Sequence, residues 1–169
     1  ALDHCYKNPG GRLQVFCNNM PNKWHTMGVT LAAGGSLRWF RDALGEPEKE
    51  TSKRTGKDAY DILSRKASKV DPGSEGLLFL PYLTGERCPH ADPHARGAFI
   101  GLTLRHSKNH LIRSVLEGVI FSLRDVTEVM KEMGVPIRQI RTSGGGALSK
   151  LWRQIHADVF NNEVLTVSG

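Results

Sequence analysis

With 169 residues, of which 39% are hydrophobic and 24% charged, the chain is long enough for one domain with a sizeable core, and its composition is neither disordered nor fibrous. The formal net charge of +6 is scattered from Arg12 to Arg87 without a long basic run, which fits a solvated surface or a weak pull on a phosphorylated small molecule and excludes a nucleic-acid stripe. Cys5, Cys17 and Cys88 cannot all pair within one chain and show no Cys-x-x-Cys spacing, and apolar runs such as Val115 to Phe121 are too short to span a bilayer, so a reduced, cytoplasmic protein with no membrane partner is expected.

Leu13 to Cys17 and Trp24 to Leu31 read as two strands of a hairpin, separated by the turn-forming Asn18, Asn19, Pro21 and Asn22. From Ala32, Leu37, Phe40 and Leu44 recur at helical spacing until Gly45 and Pro47 supply a stop. Glu46 to Gly56 is charged and carries a proline and a glycine, so a mobile surface loop is expected there. A second helix presents Tyr60, Leu63 and Ala67 on one side, and Leu77 to Leu80 reads as a buried strand. An irregular polar loop, Thr84 to Gly97, precedes a strand at Ala98 to Leu102. The segment from Asn109 to Met133 is a long helix ending at Gly134. A strand at Ile137 to Thr142, a helix at Ser149 to Phe160 and a last strand at Val164 to Val167 alternate, which implies a parallel sheet with covering helices.

The sharpest local feature is Ser143-Gly144-Gly145-Gly146-Ala147 between a predicted strand and a predicted helix, where the missing side chains let a flat ring or a phosphate approach the main chain. No Gly-Lys-Ser follows and the spacing is not Gly-x-Gly-x-x-Gly, so it is neither a Walker loop nor a dinucleotide fingerprint, and a plain structural turn is the competing reading. Gly34-Gly35 opens the helix bearing Arg38 and Trp39; close packing against a neighbouring helix is one account of the pair, and a guanidinium lying along a base or reaching a phosphate is the other. The loop Leu80 to His90 is either a functional edge or a turn held by a Glu86 and Arg87 ion pair. Glu117, within an apolar helix face, is either a tuned buried carboxylate or an ordinary structural hydrogen-bond acceptor. His90 and His94 stand beside Pro89 and Pro93, which disfavour the helix a metal pair at that spacing needs, and no metal site is assigned.

Gly97-Ala98-Phe99-Ile100-Gly101-Leu102, then seven residues, then His110 to Glu117, resembles the second signature of the FGGY carbohydrate kinases. The loop from Leu80 to His90, together with Phe16-Cys17 and Trp24 to Met27, resembles the xylulose kinase branch of that family. The glycine turn followed by Trp152-Arg153-Gln154 and Ala157-Asp158 resembles its adenosine-side motif. The resemblance implies an α/β fold of the ribonuclease H-like, actin-like ATPase kind, with a mixed sheet and flanking helices, in which residues 1–169 are the C-terminal kinase domain. It implies ATP and Mg2+ as cofactors and a sugar as partner, D-xylulose giving xylulose 5-phosphate, with a homodimer left open and no nucleic acid. By similarity, Gly144, Gly145, Gly146, Ala147 and Ser149 approach the adenosine, Gly34 and Arg38 line the other side of the nucleotide, and the Thr84 to His90 loop faces the cleft. The family's Asp base and its Gly-Thr-Ser-like turn fall upstream of Ala1, so no catalytic residue is assigned, and a first strand and a last helix are expected to be missing. The same fold as a non-catalytic nucleotide-binding or assembly module is the alternative.

Overall fold

The computed structural model describes residues 1–167. Its longest element, helix α4 (Lys108–Glu132), is the post around which the other elements stand. Ser107 and His110 form the capping box that starts it, and its buried positions include Ile112, Val115, Leu116, Val119, Ile120, Val126 and Val129, spaced by three and four residues as one apolar face requires. Strand β3 (Leu78–Leu80) and helices α1 (Ala33–Leu44), α3 (Ala59–Ala67) and α6 (Lys150–Phe160) all pack against it. Phe40, Leu63, Phe79, Ile112, Leu116, Ile120 and Ile155 form the main core. A smaller core of Leu13, Cys88, Val126, Val129, Met133 and Val135 surrounds the far end of α4.

The strands form three separate two-stranded ladders: β1 (Gln14–Cys17) with β2 (Trp24–Met27) and β3 with β4 (Ala98–Ile100), both antiparallel, and β5 (Ile140–Thr142) with β6 (Val164–Thr166), parallel. The predicted hairpin and the predicted parallel pair are both present, while no strand among the described residues joins the ladders into one sheet. The segment before Leu13 contributes a single bridge, Leu2 to Trp24, on the β2 side of the hairpin. β3 is less buried than its apolar run suggested: Phe79 faces the core, but Leu78, opposite Ile100 in the register, is 47% exposed.

One sequence expectation fails outright. Glu46 to Gly56 is not a loop but helix α2 (Glu46–Thr55), with Pro47 in its first turn, Glu46 and Glu48 at its positive end, Lys53 and Arg54 at its negative end, and Gly56 in the left-handed region closing it. Its anchor is polar, so hydrophobic periodicity could not reveal it. The Glu48 side chain has no exposed surface and is bonded by Lys66 of α3 and, at 2.5 Å, by Lys108 at the start of α4. Burial works against the Glu48 charge, but the hydrogen bonds from Lys108 and Lys66 outweigh it and hold the carboxyl below its ordinary 4.5.

Glu117 is the structural acceptor of the two readings. Its carboxylate is nearly buried, pairs with Arg113 one turn earlier (2.6 Å), and accepts from the Gly73 amide (3.0 Å) and the Ser74 hydroxyl (2.9 Å), so it fixes the turn before β3 to α4. The next residue, Gly118, sets the spacing of that pair of elements. A Cβ built there would lie 2.1 Å from the Phe79 carbonyl oxygen, a distance that no rotamer can relieve because the obstacle is backbone.

Two outcomes are expected. In Gly118→Ala, the helix-propensity gain of about 1 kcal/mol is outweighed by overpacking of about 1–3 kcal/mol or more; thermal unfolding should shift down by several degrees, and a rise would show that α4 does not touch β3. Because the folded Glu48 carboxyl is held low, its contribution is present above the ordinary carboxylate range and is lost as pH falls through the lowered value. The stabilities of the wild type and Glu48→Gln from urea unfolding should therefore differ by about 1–2 kcal/mol near pH 7 and converge as the pH falls through the lowered value; a pH-independent gap would rule out the ionised carboxylate as the cause.

Candidate functional site

Three segments that are distant in sequence converge on one cavity of about 640 Å³ beside the main core. From α1 come Gly34 and Arg38; from α3, Tyr60, Asp61 and Ser64; from the glycine turn, Gly145, Gly146, Leu148 and Ser149; and Trp152 of α6 forms part of the wall. Five of the seven predicted site residues, Gly34, Arg38, Gly145, Gly146 and Ser149, line this one space. Gly144 and Ala147 do not: Gly144 makes the turn, and Ala147 is buried beneath it.

The turn forms for local reasons. Gly144 takes φ 75° and ψ −168°, a region that side chains exclude, and redirects the chain from β5 into the four-residue helix α5 (Gly145–Leu148). Ser149 then begins α6 with its side chain: its Oγ accepts from the Trp152 amide at 3.2 Å and bonds the Ser64 hydroxyl at 3.2 Å across to α3. Trp152 is fixed in turn by its indole N–H, which donates to the Leu116 carbonyl of α4 at 3.1 Å. The wall of the cavity is thus tied to the central helix by a chain of three hydrogen bonds.

The glycines serve different ends. A Cβ on Gly146 would press the Trp152 ring at 3.2 Å, so that glycine admits the indole. At Gly34, Gly35 and Gly145 a Cβ would meet nothing within 4 Å. Close packing against a neighbouring helix, one of the two accounts of Gly34-Gly35, is therefore not their reason; the space beside Gly34 and Gly145 is open. A smaller cavity of about 230 Å³ shares Gly34, Gly146 and Trp152 and extends to Ser143, Thr142 and His156. Burial lowers the His156 pKa, partly offset by its hydrogen bond to the Trp152 carbonyl (2.7 Å).

Several residues of the cavity were not singled out by the sequence reading, Asp58, Asp61, Tyr60, Ser64 and Leu148 among them. Tyr60 was read only as a core position, yet it lines the cavity with the Arg41 guanidinium carbon 4.8 Å from its ring centroid. Ser64 and Leu148 carried no local signal at all, because what selects them is the approach of α3 to the turn.

The Thr84 to His90 loop is not among the residues lining this cavity. It packs on the hairpin side, where the Cys88 amide donates to the Val29 carbonyl and Cys88 is buried in the smaller core. The nearly buried Glu86 carboxylate accepts the amides of Leu31 (3.0 Å) and Arg87 (2.7 Å), so it holds backbone and not the expected Arg87 guanidinium. Leu31 lies just before α1, and through it the loop braces the strand-to-helix entry that carries Gly34.

The chain and its fold are similar to those of known proteins. Residues 7–169 match the profile of the FGGY family of carbohydrate kinases, C-terminal domain. The chain is 46% identical over 154 residues to a gluconokinase of Bacillus subtilis (strain 168), covering 90% of this chain and 30% of that protein. It is 41% identical over 159 residues to a xylulose kinase of Lactococcus lactis subsp. lactis, covering 94% of this chain and again 30% of the relative. The crystal structure of xylulose kinase from Rhodospirillum rubrum superposes with a TM-score of 0.83 at 32% identity, over 94% of this chain and 30% of that one. The chain therefore spans about a third of the length of the relatives it matches, and its α/β architecture is that of the actin-like ATPases. By its sequence and its fold, the chain belongs to the FGGY family of carbohydrate kinases.

Proposed function

We propose that residues 1–169 form the nucleotide-binding C-terminal domain of an ATP-dependent carbohydrate kinase, and that the cavity between α1, α3 and the glycine turn takes the adenosine end of ATP. The observation that carries this reading is the convergence of Gly34, Arg38, Gly145, Gly146 and Ser149 on one space. Two of those glycines border volume that a side chain would fill. A cleft of this size, with apolar walls and a few polar groups, suits a nucleoside. Gly144 and Ala147 support the turn from behind, and Arg38 supplies a cation for stacking or for a phosphate. In phosphoryl transfer the protein chiefly positions and stabilises charge, with Mg2+ neutralising the transferred group. In this reading the general base and the magnesium contacts come from the part of the relatives that this chain does not span.

The acceptor is a small polyhydroxylated molecule phosphorylated at a terminal hydroxyl. D-xylulose, giving xylulose 5-phosphate, is favoured by the Leu80 to His90 loop and by the xylulose kinase relatives; D-gluconate is favoured by the 46% identity to a gluconokinase. Nothing favours the non-catalytic assembly reading, since the three proteins compared are all named as kinases.

Two outcomes follow. The full-length protein should consume ATP in strict dependence on one of these acceptors in a coupled ADP-release assay, and the kcat/KM ratio for D-xylulose over D-gluconate decides between them; ATP consumption independent of both would refute the sugar kinase reading. Because a side chain at Gly145 meets only open space, Gly145→Val should fold with an unchanged melting temperature yet lose ATP binding by at least about tenfold in calorimetry. Unaltered ATP affinity would mean that the turn is structural only.

A further inference from the structure

Local chemistry gives helix α1 a poor start. Ala32 stands at its N-cap, so the first amides of the helix receive no side-chain cap. Ala33 takes φ 24°, on the positive side that a Cβ disfavours. Gly34 and Gly35 come next, the residue type with the most backbone freedom to lose in a helix. The first backbone bond of the helix runs from the Ser36 amide to the Ala32 carbonyl (3.1 Å). An entry of this kind keeps one geometry only where contacts from elsewhere hold it.

Those contacts come from the Thr84 to His90 loop. The Glu86 carboxylate is 4% exposed, and its Oε1 accepts the amides of Leu31 at 3.0 Å and of Arg87 at 2.7 Å. Beside it the Cys88 amide donates to the Val29 carbonyl at 3.1 Å, so the segment before α1 is gripped twice. The grip is itself stiff: Glu86 and Asp92 exchange backbone hydrogen bonds of 2.8 and 2.9 Å. Gly85, at φ 77°, lies so near Pro93 that a Cβ would stand 2.9 Å from its carbonyl oxygen. Burying a carboxylate is costly, and here its partners are backbone amides, one of them in a distant segment.

Resting on the nucleotide reading above, we propose that Glu86 is a positioning residue for the nucleotide, acting through Leu31 on Gly34 and Arg38. Glu86 does not line the cavity, but Leu31 leads through Ala32 and the strained Ala33 directly to Gly34. Arg38 stands about one turn further along the same helix and moves with Gly34 as a rigid unit. Releasing the Leu31 amide lets the entry relax, and both residues then leave the place where they meet the ligand. The effect falls on nucleotide binding, because the acceptor does not depend on α1 in this reading.

The test uses the full-length kinase. Glu86→Ala is expected to raise KM for ATP about tenfold, with kcat and the acceptor KM within about threefold. Glu86→Asp, one methylene too short to reach Leu31, should match it. Glu86→Gln keeps an acceptor oxygen at the same reach and should restore KM for ATP to within about threefold of wild type. Hydrogen exchange of the peptide spanning Leu31 to Leu37 should quicken in Glu86→Ala and slow again in Glu86→Gln. Glu48→Gln, weakened at a contact that does not involve Leu31, measures general loosening and should leave KM for ATP within about twofold. Should Glu86→Ala fail to fold, Glu86→Asp and Glu86→Gln decide the matter between them. Wild-type KM for ATP in Glu86→Asp overturns the positioning role, as does an equal rise in Glu86→Gln or in Glu48→Gln, or unchanged exchange at Leu31 to Leu37. If Gly145→Val leaves ATP affinity intact, it is the nucleotide reading that fails; if Gly145→Val loses ATP while the Glu86 variants are silent, only the positioning role fails.

Discussion

The close approach of α4 to β3 at Gly118 is the constraint on which the rest of the structure depends. With no side chain at that position, the helix backbone lies against the Phe79 carbonyl, and Phe79 can project into the core beside Phe40 and Leu63. The two residues before Gly118 then meet their own partners. Glu117 reaches Gly73 and Ser74, and the Leu116 carbonyl receives the Trp152 indole. A wider gap between α4 and β3 would strain the first contact, which holds the chain into β3; the second ties α4 to α6 and holds the wall of the cavity.

From that post the site is built outward by hydrogen bonds between small polar groups. Leu116 holds Trp152, the Trp152 amide is held by Ser149, and Ser149 holds Ser64. The chain of bonds joins α4, α6, the glycine turn and α3 in that order, and the cavity is the space it encloses with the first turn of α1. On the opposite side, Glu86 performs the corresponding task for α1 by binding the Leu31 amide. Both devices place a polar atom where the backbone needs an acceptor, and neither depends on the ligand for its geometry. The cavity is therefore preorganised, which reduces the ordering cost of binding.

Much of this was legible in the sequence. The hairpin, α1, α3, α4 and the closing strand–helix–strand unit all announced themselves by apolar spacing and by glycine or proline at their ends, and Gly34 and Arg38, read as lying opposite the glycine turn, do line one cavity with it. What escaped was whatever rests on tertiary polar contacts. α2 has almost no apolar face, and its attachment through Glu48 to Lys66 and Lys108 joins residues 18 and 60 positions apart. Leu148 carried no signal, because its exposed place beside the cavity is set by the approach of α3 to the turn, which sequence does not record. In the Thr84 to His90 loop, the contact by which Glu86 braces the entry to α1 joins residues 55 positions apart, so no local pattern records it.

The central claim is that the space between α1, α3 and the glycine turn receives the adenosine of a nucleotide. Photolabelling of the full-length protein with 8-azido-ATP, followed by peptide mapping, tests it without reliance on any variant. The account places the label on residues of α3 or on the segment from Gly145 to Trp152, competed away by ATP. Competed label found instead on the Thr84 to Gly97 loop or on the β1–β2 hairpin, with none on those two segments, would contradict it.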